Sequence, residues 1–393
     1  MGKCRSSLHD AIAVVAGRQR SCRTQPERVR HQPAVAIVAI VLIAGVALLV
    51  AVLGKQRHSA TCSGPPPIAA QTPARLLRAL EGVPCLASGR VVYGAKDSVG
   101  EQLASLDPIA GPGGDYLGVY DTEFGEPPRS SFRIILGRSS DLLHWAPVRV
   151  LDPVGAEMPT LRQIPGSAGY LLAYEKIGRR GVHFIRIRYY ASYAALTGGA
   201  PAAQADLPVH FSRFSNGTPA LVSIDWRGGP RRSLIGVLFH YESALDHGKP
   251  GPDREALGTL VGFRHWHAAR DSAIDSLLER QGFLGSHGDR RQFTFGGRLW
   301  RVYEAETQFN QFSTWHVLLH DVSARRLYPL LLTTANGRSS TSFGTPTAQV
   351  LSAPGGRGSA LVVTMYVFGA NGRPADAGEL IYYQPLATVR ARR

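Results

Sequence analysis

From about residue 88 onward the chain is a succession of short apolar runs split by Gly, Pro, Asp and Asn. "YLGVYDT", "FRIILGR", "YLLAYEK", "HFIRIRYY", "SLIGVLFHY", "RLWRVYEAE", "TWHVLLHD" and "ALVVTMYVF" are of strand length and rich in β-branched and aromatic residues. That composition suits a pleated, half-buried surface, so the pattern predicts many strands. Two stretches break the rhythm with helical spacing. "DSAIDSLLERQG", 271–282, puts Ile274, Leu277 and Leu278 on one face and offers Asp271 as a cap. "TPARLLRALEG" has Thr72 as a cap, Pro73 at the first helical position and Gly82 as a stop.

The strand runs recur in units. "LDPIAG" at 106, "AEMPTLRQ" at 156, "NGTPALVS" at 216, "GDRRQFTF" at 288 and "FGTPTAQV" at 343 each open a unit of three or four strands. The fold class this predicts is all-β, a five-bladed β-propeller. The last unit ends after three strands, and "GRVVYGA", 89–95, is placed to supply its fourth, closing the ring between the two ends of the domain. Within the units, "GRSSDLLHWAPVRVLD" (137–152) and "ASYAALTGGAPAAQAD" (191–206) align without a gap. Ala146, Pro147 and Asp152 then match Ala200, Pro201 and Asp206. In the first of these, Asp141 is expected to bond turn amides and Trp145 to pack between blades. A pair of β-sandwiches is the competing architecture, in which such matches would be chance.

Ahead of the strands, "AVAIVAIVLIAGVALLVAVL", 34–53, carries no charge and at about 20 residues matches the hydrocarbon thickness of a bilayer. It is longer than the core of a cleaved signal peptide, which predicts an uncleaved transmembrane helix. Seven basic residues against two acidic ones fill 1–33, while only Lys55 and Arg57 stand just after the segment. The positive-inside rule puts the N-terminus in the cytoplasm and everything after residue 54 outside. The expected order is a basic tail (1–33), a transmembrane helix (34–53), a Pro-rich stalk with a short helix (54–87) and the propeller (88–393). Cys62 and Cys85 flank the short helix on the oxidising side and are expected to form a structural disulfide.

The formal net charge is +15. Beyond the tail it is spread as single Arg residues, without a basic stripe interleaved with aromatics, which argues against nucleic acid as a partner. His240, His265, His267, His316 and His320 lack the spacing of metal ligands, so no metal is expected. The sequence has no nucleophile elbow, phosphate loop or dinucleotide fingerprint, and no cofactor is expected.

Three stretches carry a family resemblance. "DPIAGPGGDYLGVYDT" resembles the first blade of five-bladed propeller glycoside hydrolases of the arabinanase and xylosidase type, family 43. "GRSSDLLHWAPVRVL" is similar to their outer hairpin, and "AEMPTLRQIPGSAGYLLAYE" to their second blade. The resemblance implies carboxylates at inner-strand starts of successive blades. Carried over by position, Asp107 is the general base and Glu157 tunes acidity and orients substrate. Asn216 stands where the third blade of the family offers a Glu as general acid, a departure that puts hydrolysis in doubt. Asp289 is the candidate replacement, with His287, Glu304 and Glu306 as further pocket-lining candidates alongside Asn216. The expectation is therefore a membrane-anchored extracytoplasmic propeller that binds, and in the catalytic reading hydrolyses, a glycan. A non-catalytic propeller that binds or scaffolds an envelope polymer or protein partner is the alternative.

Overall fold

A computed structural model describes residues 73–86, 89–125, 131–178, 181–211, 213–245, 249–334, 342–356, 358–369 and 376–386. The expected membrane segment 34–53, the basic tail and Cys62 lie outside the described residues. Among the described residues no helix is long and apolar enough to cross a membrane.

The described residues form five four-stranded antiparallel sheets. Blade I holds β2 (Ala104–Ala110), β3 (Tyr116–Phe124), β4 (Ser131–Ser139) and β5 (Ala146–Asp152), and blade II holds β6 (Ala156–Gln163), β7 (Tyr170–Ile177), β8 (His183–Tyr190) and β9 (Ala203–Leu207). Blade III holds β10 (Asn216–Asp225), β11 (Leu234–Ala244), β12 (Pro250–Val261) and β13 (His265–Arg270). Blade IV holds β14 (His287–Phe295), β15 (Arg298–Glu306), β16 (Trp315–Asp321) and β17 (Arg326–Pro329). Blade V holds β18 (Phe343–Ser352), β19 (Ser359–Val367), β20 (Gly378–Leu386) and, at its outer edge, β1 (Val91–Val92). Val91 pairs with Tyr382 and Val92 with Ile381, so the start of the domain supplies the fourth strand of the last blade, as the sequence pattern predicts. Each inner strand touches the next, and β18 touches β2, which closes the ring. The sandwich alternative is thereby excluded.

Large side chains between blades hold the ring together. Trp145 packs with Leu106, Tyr116 and Ile135 of blade I and with Val362 and Ile381 of blade V. Its Nε1 donates to the Leu142 carbonyl at 3.1 Å. Asp141 accepts from the Leu143 and His144 amides at 3.0 and 2.9 Å, so it ties the outer hairpin and faces away from the axis. The helix 272–279 forms where its spacing predicts, with Ile274 and Leu278 buried and the Asp271 carboxylate accepting from the Ile274 amide.

The helix Pro73–Glu81, expected in the stalk, packs on the folded body instead. Leu76 and Leu80, one turn apart, are fully buried in a core shared with Trp300 of blade IV and Tyr382 of blade V. Burial of each contributes about 2 kcal/mol. The Tyr382 hydroxyl donates to the Leu80 carbonyl and Gln384 Nε2 to the Ala79 carbonyl, which satisfies acceptors that the helix end leaves open. Cys85, just past the helix, is disulfide-bonded.

Candidate active site

The inner strands begin at one end of the ring, here termed the upper face, and sheet register shows which positions correspond. Ala104 pairs with Asp121, Glu157 with Glu175, Gly217 with His240, Gly288 with Glu304 and Gly344 with Tyr366. A bulge follows each pair. It puts Ser105, Met158, Thr218 and Thr345 in the left-handed region, at φ 53, 52, 42 and 47°. After the bulge, Asp107 corresponds to Thr160, Ala220 and Thr347. Asp107 and Glu157 are therefore not counterparts, since Glu157 lies before its bulge and Asp107 after.

The bulges have a use. The amide of Met158 donates to Asp121 at 3.4 Å, that of Thr218 to Glu175 at 3.2 Å and that of Thr345 to Glu304. In each case a second-strand carboxylate accepts from the inner strand of the following blade. Glu379 of β20 serves blade I in the same way through Leu106, at 3.3 Å. Glycine is required beside these carboxylates: a Cβ at Gly217 would lie 2.2 Å from Glu175 Oε2, and one at Gly344 would lie 2.7 Å from Glu304 Oε2.

Asp107 sits deeper on the axis and is almost fully buried. Its Oδ2 accepts from the Leu161 amide at 2.8 Å, from Thr160 Oγ1 at 3.0 Å and from the guanidinium groups of Arg162 and Arg291. Its Oδ1 has no hydrogen-bond partner. Burial raises its pKa, opposed by the Arg162 charge and by the Leu161 and Thr160 hydrogen bonds.

Above Asp107, blades II to IV bring polar groups to the upper face. His183 opens β8 and turns Nδ1 to Oε1 of Glu175, and to Oε1 of Glu157 at 3.5 Å. His240 Nδ1 lies 2.5 Å from Thr218 Oγ1, and its Nε2 is 4.0 Å from Asp253 Oδ1. Asp253 has its pKa pushed up to about 7, by burial and then by the Glu175 charge. Glu306 is also pushed up to about 7, mainly by burial, although its Oε2 accepts from the Ser286 and Asn310 amides at 3.2 and 3.1 Å.

The remaining sequence candidates are dispersed. Asn216 is fully buried, with its side-chain amide against the backbone of Ser215 and His210. His287 is fully buried, with Nδ1 2.9 Å from Asp275 Oδ1 and Nε2 3.0 Å from the Phe283 carbonyl. Glu304 is engaged as the link to blade V. Asp289 lies on β14, with its side chain outside the described ones.

Glu175, His183 and Asp253 escape a sequence reading confined to inner-strand starts. A repeated dipeptide does point to the first of them: Tyr120-Asp121, Tyr174-Glu175 and Tyr303-Glu304 place a buried aromatic beside a linking carboxylate.

No family model and no curated protein matches the sequence. Among solved structures, the chain is similar to one described as "Glycoside hydrolase", with 10% identity, 82% of this chain and 99% of that chain covered, and a TM-score of 0.52. It is also similar to a solved BT0996 RGII complex, with 10% identity, 82% and 98% coverage, and a TM-score of 0.51. A GH43_1 enzyme from Xanthomonas citri complexed with xylotriose aligns at 12% identity over 80% of this chain and 93% of that one, with a TM-score of 0.44. The five-bladed ring closed by its first strand therefore has a propeller fold similar to that of the solved glycoside hydrolase.

Proposed function

We propose that this protein is a membrane-anchored, extracytoplasmic propeller that binds a glycan at its upper face and hydrolyses a glycosidic bond there. Two carboxyls in different environments carry the reading. Glu306 holds its proton up to about pH 7, while Asp107 has Oδ2 anchored and Oδ1 without a partner. An inverting hydrolase needs such a division: one carboxyl that donates to the leaving oxygen and one carboxylate that accepts a proton from water. In this mechanism Glu306 protonates the glycosidic oxygen as the bond to the anomeric carbon breaks. Asp107 takes a proton from the water that attacks that carbon from the opposite face. Glu157, across the strand pair from Glu175, orients the sugar at the rim.

Turnover by the full chain in detergent micelles on aryl arabinofuranosides and xylosides tests the proposal. Asp107→Asn and Glu306→Gln should each lower kcat at least a hundredfold, the usual contribution of a positioned acid or base. Equal activity in both variants and the parent would refute it. The anchor is tested separately, by a reporter fused after residue 393, which should be extracytoplasmic.

A non-catalytic binding module is the second reading, and one observation favours it. Arg291 and Arg162 both reach the Asp107 carboxylate, which suits a structural hub on the axis. Saturable glycan binding with no turnover in any variant would select it.

A further inference from the structure

We infer that Glu157, Glu175 and His183 form a binding site for a single divalent zinc ion on the upper face of blade II. One ligand atom from each residue can be chosen so that all three lie within 4.8 Å of one another. They come from three adjacent strands of one blade. Glu157 is the second residue of β6, Glu175 is its direct cross-strand partner on β7, and His183 is the first residue of β8. Two ligands of a tetrahedral zinc at about 2.0–2.2 Å stand about 3.3–3.6 Å apart, and His183 Nδ1 lies 3.5 Å from Glu157 Oε1.

The surroundings support a preformed site. The second oxygen of Glu175 accepts from the Thr218 amide of the next blade, which fixes the plane of the carboxylate. The His183 amide lies 3.4 Å from Ser215 Oγ, which anchors the start of β8. Outer contacts of this kind orient ligands around a metal. Lys176, the basic side chain that follows Glu175 on β7, is turned away. Its Nζ donates to Asp152 Oδ1 at 2.8 Å and to the Val154 carbonyl at 2.6 Å.

The donor set selects the class of ion. Two carboxylate oxygens and one imidazole nitrogen suit zinc, whereas calcium takes 6–8 oxygen ligands. Three protein ligands leave a coordination position open. His183 keeps 17% of its side chain accessible, so that position can face solvent or a ligand hydroxyl.

The test uses the full chain, stripped with chelator and then dialysed against zinc chloride, with calcium chloride as a parallel arm and no glycan present. Metal per chain is read by mass spectrometry, and affinity by calorimetry. One zinc per chain is expected. Glu157→Gln and His183→Gln should each weaken binding at least tenfold, since loss of even a supporting group around a metal costs about that much. His316→Gln, a half-buried histidine outside the cluster, should leave binding unchanged. Glu175→Gln also loses the link to Thr218, so folding is checked by circular dichroism and the other two variants decide. Zinc binding that survives both substitutions, no zinc binding at all, or calcium taken up in preference to zinc would each overturn the inference. Because the readout needs no substrate, its failure is separable from a failure of the hydrolase reading.

Discussion

Asp107 and Arg291 meet on the propeller axis although they belong to blades I and IV, which are not neighbours in the ring. Arg291 also donates to Thr160 Oγ1 of blade II at 2.8 Å and reaches Gln349 of blade V at 3.4 Å. One guanidinium therefore touches three other blades. Both side chains are almost fully buried, so removal of one leaves the other's charge without its main partner. Arg291→Leu should destabilise the fold by about 3–5 kcal/mol, the cost of leaving one buried charge uncompensated. Arg291→Leu combined with Asp107→Asn should recover part of that loss. Denaturant unfolding of the three variants checks it, and additive losses would remove the claim of a hub.

The links between blades make a second prediction. Glu304 accepts from the Thr345 amide inside a left-handed bulge, with Gly288 and Gly344 clearing its path. Glu304→Ala leaves that buried amide without its carboxylate and should cost about 2–3 kcal/mol. Glu304→Gln keeps an acceptor of the same shape and should cost about 1 kcal/mol. If Ala and Gln behave alike in equilibrium unfolding, the carboxylate does not link the blades.

The ring was legible in the sequence because the same local problem recurs five times. Each inner strand must start close to the axis with a bulge, and Gly, Pro and Thr at 217–219 and 344–346 mark it. Closure by residues 91–92 was legible for a simpler reason, since the last unit lacked a strand. The upper face was less so. Glu157, Glu175 and His183 sit on three successive strands and meet only through strand register, where a slip of one residue would turn each side chain to the other face. Counting inner-strand starts from their Gly and Pro residues treated Asp107 and Glu157 as equivalents, and the bulges separate them.

The raised pKa of Glu306 fixes a direction for pH. Its folded-state value is about 7 against an ordinary 4.5, so between these pH values the folded chain holds a proton that the unfolded chain releases. Stability should fall as pH rises through that window and level off above it, by about 3 kcal/mol from this group. Asp253, also pushed up to about 7, acts in the same direction. Unfolding free energies at pH 5 and pH 8 should show a smaller decline in Glu306→Gln than in the parent. An unchanged decline would show that Glu306 titrates normally.

Gly118 tests the packing of Trp145 between blades. A Cβ at Gly118 would lie 2.6 Å from Trp145 Cζ3, 2.9 Å from its Cη2 and 2.9 Å from Leu106 Cδ1. Gly118 is not among the positive-φ glycines, so the obstacle to a side chain is contact and not backbone strain. The indole cannot retreat easily, because its Nε1 is bonded to the Leu142 carbonyl and its ring lies against blade V. Gly118→Ala should therefore cost about 1–3 kcal/mol through overpacking. Trp145→Phe removes the outer indole carbons that the new methyl would strike, at the expense of a buried cavity. The double variant should be more stable than the sum of the two losses allows, by about 1 kcal/mol, as for residues in direct contact. A double-mutant cycle in denaturant measures that coupling, and a value near zero would mean that the hairpin shifts to relieve the clash.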